Sequence, residues 1–189
     1  MRVTPTALPD VLLIEPDVHR DARGFFLESF HAGKYETLGI RGPFVQDNHS
    51  ASVRGTLRGL HMQIAEPQAK LVRAVAGEIL DVAVDLRRGS PHFRRWVAVR
   101  LSAENFLHCF VPAGFAHGFC VLSDHAQVEY KCTSFYNPAG EIGIAWNDRE
   151  LAIEWPIAEP RLSPGDAALP PLAAVLNHLP PYEEIRSAR

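Results

Sequence analysis

The stretch that decides the fold is EILDVAVDL, residues 78–86, in which apolar residues occupy six of the nine positions. Side chains of a strand alternate between the two faces of its sheet, so these residues separate into two sets. One set is wholly apolar and consists of Leu80, Val82, Val84 and Leu86. The other set is Ile79, Asp81, Ala83 and Asp85, so two carboxylates share one face.

Short apolar runs of the same kind extend from this stretch in both directions. Strands are predicted at 25–30, 44–50, 56–63, 70–75, 78–86, 94–101, 106–111, 116–122 and 127–135. Strand starts that recur roughly every 8–12 residues between turn signals are typical of a sandwich or barrel. One short helix is predicted over 31–38, since the segment HAGKYETL ends before Gly39, a common helix stop.

The chain changes character after Trp155. Seven of its 15 prolines lie beyond that residue, where strand patterning stops. We expect a proline-rich tail over 156–189 that wraps a surface, with helical composition only at 172–179. The prediction is one domain over 1–189, with its barrel core at about 44–136.

Several polar residues share strand faces with aromatic ones. His117 alternates with Phe115 and Phe119, and Tyr130 has the same parity as Tyr136. Gln46, Asn48 and Ser50 likewise share one face of their strand. Such faces predict a barrel interior lined for a polar ligand.

Composition excludes several classes of protein. A 189-residue chain with 47% hydrophobic and 22% charged residues is ordinary for a globular protein. No run approaches the roughly 18 apolar residues of a membrane span, and no signal-peptide core is present, so a cytoplasmic protein is expected. The net charge of −3 without a basic stripe speaks against nucleic-acid binding.

Motifs narrow the chemistry further. Dinucleotide-binding and P-loop glycine patterns are absent, as is the G-x-S-x-G elbow of serine hydrolases. The odd set Cys109, Cys120 and Cys132 has no C-x-x-C spacing and predicts buried thiols. A metal site at His61 and His117 would need a third ligand from Asp81 or Glu129, and no metal is expected.

The densest polar cluster is LRGLHMQ (57–63), followed by Gln68-Ala69-Lys70. Arg58 and Lys70 suit a phosphate or diphosphate, and His61 is a candidate general base. Residue types alone leave a second interpretation open, in which Arg58 and Lys70 are solvated surface charges and His61 is a core histidine.

Eight segments at fixed spacing, together covering roughly residues 5–175, resemble the dTDP-4-dehydrorhamnose 3,5-epimerase family. They are DARGFFLESF (21–30), FVQDNHS (44–50), LRGLHMQ (57–63), QAKLVRAVAGEILDVAVDLR (68–87), VPAGFAHGF (111–119), YKCTSFYNP (130–138), GIAWND (143–148) and LSPGD (162–166). The resemblance implies an all-β, cupin-type jelly roll with a few short helices, acting as a homodimer without a cofactor.

The resemblance also implies the reaction, epimerisation beside the C4 ketone of a dTDP-4-keto-6-deoxyhexose. His61 would be the base, oriented by Asp166, Tyr130 the acid on the opposite face, and Lys70 the cation near the enolate oxygen. Asp81 and His117 would form a second buried pair, for which a purely structural ion pair is the other interpretation.

Further residues are implied to bind the substrate. They are Arg23 and Arg58 for the diphosphate, Tyr136 for stacking on thymine, and Glu28, Gln46, Asp47, Asn48, Lys70, His117 and Glu141 for other contacts. Arg23 and Glu28 would serve the partner subunit if an N-terminal strand is exchanged. The chain departs from the family pattern at Met62, where tyrosine is usual, and at Gly165, where lysine is usual.

Three other functions remain open at this point. They are epimerisation at C3 or C5 alone, non-catalytic binding of a nucleotide sugar, and metal-dependent cupin chemistry at His61 and His117.

Overall fold

The computed structural model describes residues 1–187, and the ladders between its thirteen strands are antiparallel. The strands are β1 (Arg2–Pro5), β2 (Leu12–Glu15), β3 (Val18–Asp21), β4 (Gly24–Leu27), β5 (Gln46–Val53), β6 (Leu57–Gln63), β7 (Lys70–Ala76), β8 (Glu78–Asp85), β9 (Trp96–Ser102), β10 (His108–Val111), β11 (Phe115–Val121), β12 (His125–Cys132) and β13 (Glu141–Gly143). The helices are α1 (Ala32–Thr37), α2 (Pro164–Ala167), α3 (Leu172–Val175) and α4 (Tyr182–Ser187), with 3-10 turns at Pro138–Gly140 and Leu176–His178.

Two sheets face each other, in keeping with the sandwich or barrel that the strand pattern predicted and the jelly roll that the resemblance implied. One has six strands in the order β1-β2-β10-β7-β12-β5, and the other has five in the order β13-β6-β11-β8-β9. Strands β3 and β4 form a separate two-stranded hairpin. The all-β cupin-type fold is therefore confirmed.

The five-stranded sheet is buried on both of its faces. Its inner face contributes Ile79, Ala83 and Phe119 to a core shared with the six-stranded sheet. Its outer face packs against the C-terminal tail through a second apolar cluster that includes Val82 and Leu172. Burial on both sides explains why β8 has so few positions suited to water.

The tail packs on that outer face and contains more helices than its composition predicted. Helices α2 and α4 flank the expected helical segment, and residues 188–189 of the predicted tail lie outside the described residues. At the α4 end, the buried Arg87 guanidinium bonds Asp85 at 2.6 Å and lies 4.8 Å from the centre of the Tyr182 ring. Asp85, the second carboxylate of its face, therefore has a structural partner.

The sheets recruit more of the chain than the span 44–136 that was expected for the barrel. Strands β1 and β2 extend the six-stranded sheet, and β13 extends the five-stranded one. These strands have four, four and three residues, too short to give an alternation signal.

Two predicted strands end earlier than expected. The strand predicted at 25–30 stops at Leu27, and the strand predicted at 127–135 stops at Cys132. Tyr136 therefore lies beyond β12 and is 53% exposed, so its parity with Tyr130 has no structural meaning.

The helix predicted at 31–38 is confirmed as α1, with the His31 side chain accepting a bond from the Lys34 N–H. Cys109, Cys120 and Cys132 are buried, unpaired thiols, as predicted. None of the helices within residues 1–187 has the length and apolarity needed to cross a membrane.

Candidate active site

A cavity of about 430 Å³ opens between the two sheets. We call its two sides the six-strand wall (Ser50, Lys70 and Tyr130) and the five-strand wall (Arg58, His61 and His117). Its remaining lining residues are Gly118, Phe119, Glu141, Gly143, Ser163, Gly165, Asp166 and Leu169. All four predicted catalytic residues, His61, Lys70, Tyr130 and Asp166, thus line one cavity.

A close approach of the paired strands β6 and β11 shapes the five-strand wall. A Cβ on Gly59 would lie 2.7 Å from the Gly118 Cα, and one on Gly118 would lie 2.7 Å from the Arg58 carbonyl oxygen. Gly59 has a φ of +113°, a backbone conformation open to glycine, and the register shifts in this part of the ladder. Simple alternation would place Arg58 and His61 on opposite faces, whereas this irregularity lets both line the cavity.

His61, whose side chain is 34% exposed, pairs with the buried Asp166. The His61 Nε2 lies 2.7 Å from the Asp166 Oδ1, which also accepts the Gly59 N–H at 3.3 Å. The other carboxylate oxygen accepts the Ser163 hydroxyl at 2.8 Å. Asp166 is thus fixed at both oxygens, and a carboxylate at Nε2 holds the proton there and leaves Nδ1 as the basic nitrogen.

Tyr130 and Lys70 lie on the opposite wall. The Lys70 Nζ is 5.9 Å from the centre of the Tyr130 ring. Burial raises the pKa of Tyr130, with a smaller contribution from Cys132, so the phenol keeps its proton at neutral pH. Burial lowers the pKa of Lys70, and the Cys132, Glu141 and Asp81 side chains oppose that effect.

His117 and Asp81 form the second buried pair, as predicted from the resemblance. The His117 Nε2 lies 2.7 Å from the Asp81 Oδ1, and the two side chains are 7% and 1% exposed. The same carboxylate lies close to the Cys109 thiol, whose pKa is raised by burial first and then by the Asp81 charge. His117 lines the cavity from this anchored position.

The arrangement suits proton transfer to and from two faces of one molecule. A histidine supported by a carboxylate lies on one wall, and a protonated tyrosine lies on the other. A ligand held between them would present opposite faces to a base and to an acid, with the Lys70 cation beside it.

Of the predicted binding residues, Arg58, Lys70, His117 and Glu141 lie at the cavity. The Arg58 Nε donates to the Ser52 Oγ at 3.1 Å. The exposed Tyr136 adjoins the cavity through its hydroxyl, which donates to the Glu141 Oε2 at 2.8 Å. Its ring is available for stacking.

The three predicted binding residues of β5, Gln46, Asp47 and Asn48, do not line this cavity, although Ser50 of the same strand does. The Gln46 side chain donates to Asn48 at 3.1 Å and accepts the Tyr136 N–H at 2.8 Å. Asp47 alternates to the outer face, where the Lys131 Nζ bonds both of its oxygens at 2.9 Å. Alternation along β5 therefore separates Asp47 from its two neighbours.

Arg23 and Glu28 are also absent from the lining of this cavity. The Arg23 side chain is 89% exposed and bonds Asp21 within its own hairpin. Glu28 bonds Lys34 at 2.8 Å, which lowers the pKa of that carboxyl. Neither residue meets the other predicted site residues within one subunit.

Ser163 is a site residue that sequence reasoning missed. Its Oγ accepts the Asp166 N–H at 3.0 Å while its hydroxyl donates to the carboxylate of that residue. The signal was present as S-x-x-D in the segment LSPGD, a capping-box pattern at a helix start.

Metal ligation has no cluster to support it within residues 1–187. No group of three or more His, Cys, Asp or Glu side chains there is placed to hold an ion. His61 and His117 each bond a separate carboxylate.

Residues 5–174 match the family model described as dTDP-4-dehydrorhamnose 3,5-epimerase. A curated enzyme of that name from Pseudomonas aeruginosa is 56% identical over 168 residues, covering 88% of this chain and 93% of the relative. A more distant relative, a dTDP-4-dehydrorhamnose 3-epimerase from Streptomyces niveus, is 41% identical and covers 88% of this chain and 81% of its own length.

Solved structures agree with the sequence comparison. A dTDP-6-deoxy-D-glucose-3,5-epimerase from Legionella pneumophila, in complex with dTDP-4-keto-L-rhamnose, superposes with a TM-score of 0.91 and 50% identity. The match covers 96% of this chain and 98% of that one.

Proposed function

Because this chain belongs to the dTDP-4-dehydrorhamnose 3,5-epimerase family, we propose that it epimerises dTDP-4-keto-6-deoxy-D-glucose at C3 and C5 to dTDP-4-keto-L-rhamnose. The observation that carries the proposal is the placement of His61 and Tyr130 on opposite walls of one cavity. Inverting a carbon requires removal of a proton from one face and its return to the other.

The first step is proton abstraction by His61. A C–H bond next to the C4 ketone breaks, its proton moves to the His61 Nδ1, and its electron pair forms a C=C bond as the ketone becomes an enolate. The Asp166 carboxylate stabilises the imidazolium that results, at 2.7 Å from its other nitrogen. Lys70 supplies a positive charge for the enolate oxygen.

The second step is reprotonation by Tyr130. The phenol O–H bond breaks, its proton adds to the opposite face of the same carbon, and the enolate returns to a ketone. Exchange with solvent restores the proton of Tyr130 and removes that of His61. The two steps move only protons, so the proposal includes no metal or redox cofactor.

The nucleotide occupies the outer part of the cavity in this proposal. Arg58 has the charge and fork geometry to bind the diphosphate. The exposed Tyr136 ring, held by Glu141 at 2.8 Å, presents a face on which thymine can stack.

We also propose that the protein acts as a homodimer with exchanged hairpins. Phe25 and Phe26 on the β3–β4 hairpin are 57% and 71% exposed, which is typical of side chains that a partner covers. Exchange would carry Arg23 and Glu28 to the partner's cavity.

The deciding experiment is NMR in D2O with dTDP-4-keto-6-deoxyglucose. We expect deuterium at both C3 and C5 of the product, and loss of both signals in His61→Asn. The matched control is His125→Asn, which changes an exposed histidine outside the cavity and should exchange like the parent.

Each competing function predicts a different result. Exchange at one carbon alone would select a single-site epimerase, the activity that the Streptomyces niveus relative is named for. Exchange at neither carbon, with dTDP affinity that survives His61→Ala, would replace the proposal with non-catalytic binding. Activity lost to a chelator and restored by metal would favour the metal-dependent alternative.

A further inference from the structure

One polar atom of the cavity has no partner and no role in the proposed reaction. The Ser50 Oγ is buried and makes no hydrogen bond with any group in residues 1–187. A buried hydroxyl without a partner is unfavourable, and such groups in folded proteins nearly always have one. Ser50 lines the cavity, and rotation about its Cα–Cβ bond would turn the enclosed hydroxyl towards a ligand oxygen there.

The strand register fixes the neighbours of Ser50 on the six-strand wall. Ser50 lies opposite Val128, and Asn48, two residues earlier on β5, lies opposite Tyr130. Ser50 and Tyr130 are therefore diagonal neighbours on one face, within reach of groups on the same ligand. On the other side of Tyr130, Lys70 lies on β7, opposite Cys132.

The next inward residue of β5 connects Ser50 to the charged part of the cavity. Ser52 follows Ser50 on the same face, and its Oγ accepts the Arg58 Nε–H at 3.1 Å. Ser50 thus lies between the tyrosine at the reacting carbon and the arginine proposed for the diphosphate. A hexose 1-diphosphate that reaches from Arg58 to Tyr130 must pass over the Ser50 hydroxyl.

We infer that Ser50 is a further substrate-binding residue, whose hydroxyl donates a hydrogen bond to the hexose at the end nearest its diphosphate. The inference rests on the proposed function for the direction in which the ligand lies. In this assignment Ser50 helps to orient the sugar ring between the two walls, while Arg58 and Tyr136 bind the nucleotide.

The test compares binding of dTDP-glucose, which has no ketone and does not react, with binding of dTDP. In Ser50→Ala we expect the Kd of dTDP-glucose to rise about three- to tenfold, the effect of one hydrogen bond, and the Kd of dTDP to change less than about twofold. Ser50→Thr keeps a hydroxyl and should recover most of the affinity for dTDP-glucose. Deuterium wash-in at C3 and C5 should slow in Ser50→Ala.

Thermal stability separates binding from a structural role. Because the Ser50 hydroxyl has no partner, its removal should leave Tm unchanged or slightly higher. The matched control is Ser123→Ala in the turn before β12, where the Oγ accepts the Glu78 N–H at 2.8 Å and donates to the His125 carbonyl at 2.6 Å. That variant should lose stability and keep parental affinity for both ligands.

Three results would overturn the assignment. The first is an unchanged affinity for dTDP-glucose in Ser50→Ala. The second is an equal loss of affinity for dTDP-glucose and dTDP, and the third is a fall in Tm like that of Ser123→Ala. Failure of the epimerase proposal would be seen separately, as an unmodified protein that exchanges no deuterium, because the binding comparison requires no turnover.

Discussion

Burial shifts the pKa of two residues of the cavity, Tyr130 and Lys70. Desolvation disfavours a charge, so it raises the pKa of Tyr130 and lowers that of Lys70. Tyr130 is thereby held as a proton donor. The two carboxylates have another task, since Asp81 and Asp166 each face a histidine nitrogen at 2.7 Å.

Replacing Tyr130 should separate the two proton transfers. In Tyr130→Phe we expect product formation to fall by about 10²-fold or more, the usual contribution of a general acid, while His61 still removes its proton. Deuterium wash-in to the substrate carbon that faces His61 should therefore fall less than product formation. NMR of the same sample in D2O gives both rates, and an equal loss of both would show that Tyr130 is not a separate acid.

The residues of this site differ in how far their positions could be predicted. The strand parity of His117 and Asp81 indicated an interior position without any resemblance. The pairing of His61 with Asp166 spans 105 residues of chain, and only the resemblance indicated it. Ser50 was placed on a polar inner face, but a missing partner is a property of the folded cavity and has no sequence signal.

At the scale of elements, the register shift between β6 and β11 could not be predicted from the alternation of apolar and polar residues. Alternation assumes a regular strand, and the close approach of Gly59 to Gly118 breaks that assumption where the site is built. The ends of β8 were predicted within one residue, whereas β5 and β12 each end three residues from the predicted position. Four short strands, β1, β2, β3 and β13, were not predicted, because they carry too few alternations to detect.

The contact between α1 and β10 should make stability depend on pH. Burial, with a smaller contribution from Arg73, lowers the pKa of His108 from 6.5 to about 4, and its Nδ1 lies 3.0 Å from the Tyr35 hydroxyl. The unfolded chain binds this proton below pH 6.5 and the folded chain does not. Stability is therefore fully present above pH 6.5 and falls progressively towards pH 4, by up to about 3 kcal/mol.

His108→Gln should flatten that dependence, since glutamine can still hydrogen-bond the Tyr35 hydroxyl and does not titrate. Urea unfolding at pH 7 and pH 4.5 measures the change in free energy of unfolding between them. We expect a smaller change in the variant than in the parent, and a parental change in the control His125→Gln, an exposed histidine. If the free energy of unfolding falls equally between pH 7 and pH 4.5 in His108→Gln and in the parent, the assignment to His108 is wrong.

At the scale of the whole molecule, the chain buries its five-stranded sheet on both faces and leaves its hairpin exposed. The tail covers the outer face of that sheet. It also contributes Asp166 and neighbouring residues to the lining of the cavity. The hairpin instead presents Phe25 and Phe26 outward. The sequence pattern predicted only the second strand of this hairpin, and the proposal that Arg23 acts at the partner's cavity needs a test on the assembled protein.

Mixing two defective variants tests directly whether Arg23 acts in the cavity of the partner subunit. In an exchanged dimer of His61→Ala with Arg23→Ala, the subunit that retains His61 receives the intact Arg23 of its partner, so one of its two cavities is complete. Random pairing puts about half of all subunits into such mixed dimers, and about a quarter of the parental epimerase activity should return. The matched control pairs His61→Ala with Tyr130→Phe, two residues that line one cavity of the same subunit, and it should recover no activity. If Arg23 acts within its own subunit, the first mixture will show no more activity than the mean of its two components, and a chain that sediments as a monomer would exclude exchange altogether.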